Sequence, residues 1–270
     1  MWLGGDSGII RGFRSALTGH KAPLLRLEVV RSRLTVVADE PFNPPDADEA
    51  LRRLEMPLQE AMRTQRAVRK LHLEPVSHEV LLPLLELSLK APTSSNTQDW
   101  CYVVVEDRAQ KERLAKLYRP LYRTFSPLER RAARGDEARL RGMRPGEWQA
   151  EHFAELPVFV IPCYRRNLKH RPVGRPQISV ASYYGSVFPA VQNLLLGCRA
   201  VGLGASLQTL PIWLVPVARR ILGLPRSMNP VCIIPIGWAR GKYGPTTRRP
   251  IGEVVHLDTF GNQPFRSEAP

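Results

Sequence analysis

Apolar positions along this chain recur mostly at helical spacing, and in three places they condense into strand-like runs. Leu51, Leu54, Leu58, Ala61 and Met62 form one face between Ala47 and Gln65, with Asp46 as a ready N-cap. Pro57 interrupts this stripe, which predicts two short helices or a kink. Ser77 opens a second helix whose apolar residues, from Val80 to Leu89, surround it so fully that it must be buried; Pro92 stops it. Trp100 to Glu106 is aromatic and β-branched and predicts a strand. Residues 107–119 read as a helix with Leu114, Leu117 and Tyr118 on one face.

From Arg119 to Trp148 the chain is rich in Arg and broken by Pro127, Gly135, Gly142, Pro145 and Gly146. Residues 119–150 are therefore expected to be an insertion able to act as a lid. Val158 to Tyr164 is a second strand, and Ser182 to Val201 a helix apolar almost all round, suited to a core centre or a subunit interface. Gly202 and Gly204 end it. An extended segment over Ala205–Leu210, a short helix over Val215–Leu222 and a third strand over Pro230–Trp238 follow. Pro162 and Pro235 inside two of these strands predict edge positions or bends. Val254 to Phe265 reads as an irregular arm. Long segments separate the strands, so the pattern is one of mixed α and β structure.

Composition narrows the partners more than the fold. The chain has 270 residues, 43% of them hydrophobic, enough for one sizeable domain. Residues 1–45 read as a poorly ordered extension ending in the proline-rich stretch Pro41–Pro45, so the folded domain is expected over 46–270. A net charge of +14 favours anionic ligands. No nucleic-acid-binding motif accompanies it, and no nucleic-acid partner is expected. Cys101, Cys163, Cys198 and Cys232 lack metal-ligand or disulfide spacing and read as reduced thiols in a cytoplasm, with no metal expected; no apolar run reaches the roughly 20 residues of a membrane helix, so no membrane partner is expected.

The candidate chemistry gathers between Arg63 and Trp100. Arg66 and Arg69 follow the first helical stripe, and Thr93, Ser94, Ser95, Asn96 and Gln98 crowd the loop before the first strand. Arg248 and Arg249 add a second cationic pair far along the chain. Cations at separated places, with small hydrogen-bonding side chains between them, suit a ligand with an anionic group and a flat polar ring. Taken alone, such residues are equally at home on a surface and in a turn.

Their arrangement is more specific. The stretch Arg66 to Val76 resembles the opening Arg-Arg-Ser-x-Arg…Pro-Val motif of the nitroreductase family, and Ala91 to Trp100 is similar to its Ala-Pro-Ser-x-x-Asn-x-Gln-Pro-Trp motif. Phe188 to Gly204 resembles its central dimer helix, and Ile236 to Val255 its C-terminal ending. The resemblance implies an α+β fold, a central mainly antiparallel sheet flanked by helices, in an intertwined homodimer. It implies FMN as cofactor, with NADPH or NADH giving a hydride to flavin N5 and a nitroaromatic, quinone or similar acceptor taking it in a ping-pong cycle. The cofactor-binding residues it implies are Arg66, Ala67, Arg69, Leu207, Gln208, Thr209 and Arg248 from one protomer. Pro92, Thr93, Ser94 and Asn96 would come from its partner. No catalytic residue beyond the flavin is expected, Arg69 supporting the reduced ring.

The chain departs from the family pattern at Gln65, Ala67, Leu71 and Asp99, the last placing a carboxylate near the expected ring edge. Gln208, Thr209 and Leu210 replace a Gly or Glu-Gly near N5. Two alternatives follow: flavin sequestration without nicotinamide turnover, or a specialised branch such as dehalogenation or flavin destruction. His72 and His256, with Trp213 and Trp238, read as packing or surface residues.

Overall fold

Strand β2 (Val158–Arg165) organises the molecule because both of its faces are covered. The computed structural model describes residues 42–165 and 176–266 of the chain. Most of the expected N-terminal extension, residues 1–41, lies outside the described residues. Phe42, just ahead of the expected domain start, stacks on His72 with ring centroids 3.8 Å apart.

β2 pairs along one edge with β1 (Trp100–Val105), register Trp100↔Tyr164 to Val105↔Phe159. Its other edge is shared by β5 (Ile234–Trp238) at Val158–Val160 and by β4 (Met228–Pro230) at Cys163–Arg165. β3 (Leu203–Ala205) pairs with β5, so the order is β1-β2-β5-β3, with β4 beside β5 on β2; every pairing is antiparallel. The expected third strand is thus two strands. Pro162 and Pro235 lie in interior strands, contrary to the edge expectation. The sheet accommodates them where ladders change partner: Pro162 falls between the β5-paired and β4-paired parts of β2, and Pro235 one residue past the last β3 partner.

Side chains alternate across the sheet. Val158, Val160 and Tyr164 of β2 face one core, with Ile234, Ile236 and Leu203. That core is covered by α1 (Ala47–Arg52), α3 (His78–Ser88) and α6 (Pro176–Val201). The N-caps of α1 and α3 are those the sequence predicts, Asp46 Oδ1 accepting from Glu49 N at 2.7 Å and Ser77 Oγ from Val80 N at 3.4 Å. α2 (Leu58–Thr64) follows Pro57, as the broken stripe predicts. α6 approaches α3 closely because Gly197 has no side chain; a Cβ there would lie 3.1 Å from Leu84 Cδ2.

Phe159, Ile161 and Cys163 face the second core, under α4 (Arg108–Ala132), the turn at Phe153–Glu155 that follows α5 (Glu137–Glu151), and α7 (Val215–Ile221). Tyr118, Phe153 and Phe159 pack as tilted rings through this layer with centroids 4.6 Å apart at each step. Residues 119–150, expected as a breaker-rich insertion, form a helical hairpin. Its inner face continues the spacing of Leu114 and Tyr118 through Tyr122, and Asp136 caps α5 by accepting from Arg139 N at 2.9 Å. Arg130 pairs with Glu147 across the two helices, and Arg119 donates to the Ala150 and Glu151 carbonyls. Tertiary cover outweighs the helix-breaking tendency of the prolines and glycines.

Two consequences for stability follow. Gly204 of β3 lies under the segment before His72: a Cβ would sit 2.5 Å from Leu71 Cδ2 and 2.8 Å from Val68 Cγ1. Gly204→Ala should therefore cost about 1–3 kcal/mol through overpacking, read as a lower urea midpoint at unchanged slope; a neutral result would show that this crossing is loosely packed. Burial raises the phenol pKa of Tyr118, Tyr183 and Tyr243 above the usual value. Their contribution is fully present below about pH 10, where an unfolded tyrosine ionises, and is lost as the pH rises beyond it. Urea midpoints measured from about pH 9 to about pH 11 should fall across that window, and Tyr118→Phe should make the fall shallower.

Candidate functional site

After α2 ends at Thr64 the chain runs extended across the ends of β3 and β5. Val68 N donates to the Ala205 carbonyl at 3.0 Å, His72 N to Trp238 at 2.8 Å, and Arg240 N returns to Lys70 at 3.1 Å. In an extended segment neighbouring side chains point apart. Val68 packs on the second core and Leu71 is buried in it, while Arg69 is left at the wall of a cavity of about 300 Å³.

The opposite wall is the segment after β3. Gln208 bridges to Ile233, each backbone N–H donating to the other's carbonyl at 2.8 Å, and a 3-10 turn begins at Leu210. Leu207, Gln208 and Thr209 all line the cavity. The third wall is the helical hairpin, with Tyr118, Tyr122 and Phe125 spaced along α4 and Gly146 on α5. Gly146 is needed for the close approach: a Cβ there would lie 3.1 Å from Tyr122 Oη and 3.9 Å from Arg69 Cδ. Burial raises the Tyr122 phenol, with the Glu147 and Glu129 carboxylates adding to the effect and Arg69 opposing it.

The structure therefore brings together Arg69, Leu207, Gln208 and Thr209. It leaves Arg66, Ala67 and Arg248 exposed and outside the cavity lining. Thr246 N donates to the Arg63 carbonyl at 3.0 Å, which carries the irregular segment holding Arg248 alongside the same stretch of chain. Among the described residues, Arg66, Arg69 and Arg248 form ion pairs with no carboxylate. Unpaired cations suit an anionic ligand.

Pro92, Thr93, Ser94 and Asn96 lie elsewhere on the protomer, in a turn whose Ser94 N–H donates to Ser186 Oγ of α6 at 3.3 Å. Ser95, Asn96 and Gln98 adopt left-handed backbone, with φ of 51°, 51° and 50°. Non-glycine residues there are strained, and such clusters mark sites where something else fixes the chain. Asp99, expected near the ring edge, pairs with Arg165, Oδ1 to Nε at 3.2 Å. Trp238 is a packing residue, whereas Trp213 is 64% exposed and faces Phe125 at 6.1 Å. His256 accepts from Gly261 N at 3.0 Å.

Sequence reading missed Tyr118, Tyr122, Gln149 and Ser206. The tyrosines carry a signal, since with Phe125 they continue one helical face beyond Arg119. Gln149 and Ser206 carry none, being 57 positions apart. A larger hollow of about 560 Å³ beside Phe42, Arg53 and Trp238 holds none of the expected residues, and Arg53 is already paired with Glu49 there at 2.6 Å. A cation, backbone and side-chain amides and an aromatic wall around the smaller cavity fit a flat polar heterocycle with an anionic edge.

The chain is 23% identical over 225 residues to an iodotyrosine deiodinase from Daphnia pulex, covering 79% of this chain and 70% of that one. Among solved structures, an oxidised iodotyrosine deiodinase bound to FMN and 3-iodo-L-tyrosine superposes with a TM-score of 0.55 at 23% identity, covering 76% of this chain and 100% of that one. Nitroreductase A from Vibrio parahaemolyticus superposes with a TM-score of 0.56 at 19% identity, covering 76% of each chain. The nitroreductase family model matches residues 62–238, which include the Arg69 crossing, the whole sheet and the helical hairpin, and the chain belongs to the nitroreductase family.

Proposed function

We propose that this protein is an FMN-dependent oxidoreductase that passes electrons from NADPH or NADH to a small aromatic acceptor, a nitroaromatic or a quinone, in a ping-pong cycle. The observation that carries the reading is the unpaired Arg69 facing Gln208 and Thr209 across a cavity with an aromatic wall. When bound, the flavin supplies the hydride chemistry through N5. Arg69 offers positive charge where the reduced ring gathers negative charge, and the Gln208–Thr209 segment offers polar groups at the ring edge. Arg66 and Arg248 extend the cationic path for the phosphate, with Ala67 beside them. Tyr118, Tyr122 and Phe125 exclude water and present an apolar face to the acceptor.

The reading includes a homodimer. Leu58 and Met62 of α2 and Leu82 of α3 are exposed, and Phe260 in the C-terminal arm is 93% exposed. A second copy would cover these side chains and contribute Pro92, Thr93, Ser94 and Asn96 to each site. Among the described residues no helix is long and apolar enough to cross a membrane.

A second reading is favoured by the comparisons: reductive dehalogenation of a halogenated aromatic, the activity named for the iodotyrosine deiodinases this chain resembles. The two share the cofactor and differ in the acceptor.

The purified protein should show flavin absorption bands that bleach on anaerobic addition of NADPH or NADH and return with a quinone or nitroaromatic. Bands that stay oxidised with both nicotinamides, while dithionite bleaches them, would overturn nicotinamide turnover. Return of the bands only with a halophenol would favour the dehalogenating reading. Arg69→Ala should weaken FMN retention and slow reduction by about tenfold or more, the scale of one lost charge-assisted contact at roughly 1.5–3 kcal/mol; unchanged retention and rate would remove Arg69 from the site.

A further inference from the structure

Gln149 of α5 and Ser206, just after β3, are fully buried. A buried amide or hydroxyl is costly unless it is hydrogen-bonded. These two satisfy each other and take in Gln208. The Gln149 amide meets Ser206 Oγ with Nε2 at 3.0 Å and Oε1 at 3.2 Å, so the hydroxyl accepts from the first or donates to the second. Gln208 Nε2 then donates to Gln149 Oε1 at 2.8 Å and to Ser206 Oγ at 3.3 Å.

Both amide hydrogens of Gln208 are thus turned inward. Its backbone is also committed, N–H and carbonyl alike being bonded to Ile233. Its Oε1 accepts from no described residue and is not among the buried unpaired atoms, and Gln208 lines the cavity. What Gln208 presents to a ligand is therefore an acceptor.

We propose that Gln149 and Ser206 are positioning residues that hold the Gln208 amide with its carbonyl oxygen toward the cavity, where it favours the reduced, N–H-bearing form of a bound flavin over the oxidised form. The inference rests on the proposed FMN site. An oxidised flavin has a lone pair at N5 and a reduced one an N–H, so a fixed acceptor repels the first and accepts from the second. The network also ties the hairpin to the site: Gln149 belongs to the helix that carries Gly146 against Arg69, so a shift of α5 releases the Gln208 amide.

The same three side chains also pair if both amides are turned over, which would present a donor to the cavity. The sign of a potential shift separates the two arrangements. Wild type, Gln149→Leu, Ser206→Ala and Gln208→Leu are loaded with FMN, retention is measured from flavin fluorescence, and the midpoint potential is measured by equilibration with a redox dye. Gln149→Leu and Gln208→Leu should shift the equilibrium about tenfold toward the oxidised form, about 30 mV lower for a two-electron couple. Ser206→Ala, which removes only a hydroxyl, should shift it in the same direction by less, and it keeps the test decisive if Gln149→Leu does not fold. Retained FMN with unchanged potentials, or a shift upward, overturns the proposal. A wild-type chain that takes up no FMN fails earlier, and overturns the cofactor reading itself.

Discussion

A strand buried on both faces cannot be left half covered, and β2 imposes that condition on everything around it. Val158, Val160 and Tyr164 need one apolar layer; Phe159, Ile161 and Cys163 need another. At roughly 25 cal/mol per Å² of apolar surface removed from water, each uncovered large side chain would cost about 1.5–3 kcal/mol. α3 and α6 meet the first demand. α4, with the Phe153 turn, meets the second through the tilted rings of Tyr118, Phe153 and Phe159. The cavity follows from this second layer, because α4 continues past the sheet and carries Tyr122 and Phe125 over the segment that follows β3.

The same covering logic places the cation. Val68 and Leu71 are drawn into the core at Gly204, where a hydrogen takes the place of a Cβ. Arg69, between them in the chain, is left at the cavity wall beside Gly146. It is set by backbone pairing with Ala205, Trp238 and Ala239. Exposed ion pairs contribute roughly 0–1 kcal/mol and hold side chains loosely. A cation positioned by a buried crossing is better fixed, and its charge stays available to a ligand.

Much of this fold was legible wherever a local pattern sufficed. The strands at Trp100 and Val158, the caps at Asp46 and Ser77 and the break at Pro57 are local features, and the structure has them. The hairpin over 119–150 was not, because Pro127, Pro145 and several arginines outweigh a helical face that only the sheet makes worthwhile. Nor was the division of β4 from β5, which depends on two strands sharing one edge of β2. At the site, Arg69 and the 207–209 segment could be joined only through the family resemblance, since nothing local connects them. Gln149 and Ser206 have no spacing to read; their roles arise when α5 is laid against β3.

The loop from Thr93 to Gln98 has the opposite character. Its left-handed residues Ser95, Asn96 and Gln98 are exposed, and among the described residues the loop is held by the Ser186 contact, by Gln98 N donating to Thr93 Oγ1 at 3.2 Å, and by its own turn bonds from Asn96 N to the Thr93 carbonyl and Thr97 N to the Ser94 carbonyl. Strained backbone persists where its surroundings over-determine it, and one protomer supplies few such surroundings here. The exposed Leu58 and Met62 of α2 and Leu82 of α3 lie outside both cores, while the apolar face of α3 is already spent on the first. A second copy of the chain, as proposed above, would supply both a restraint for this loop and cover for these side chains.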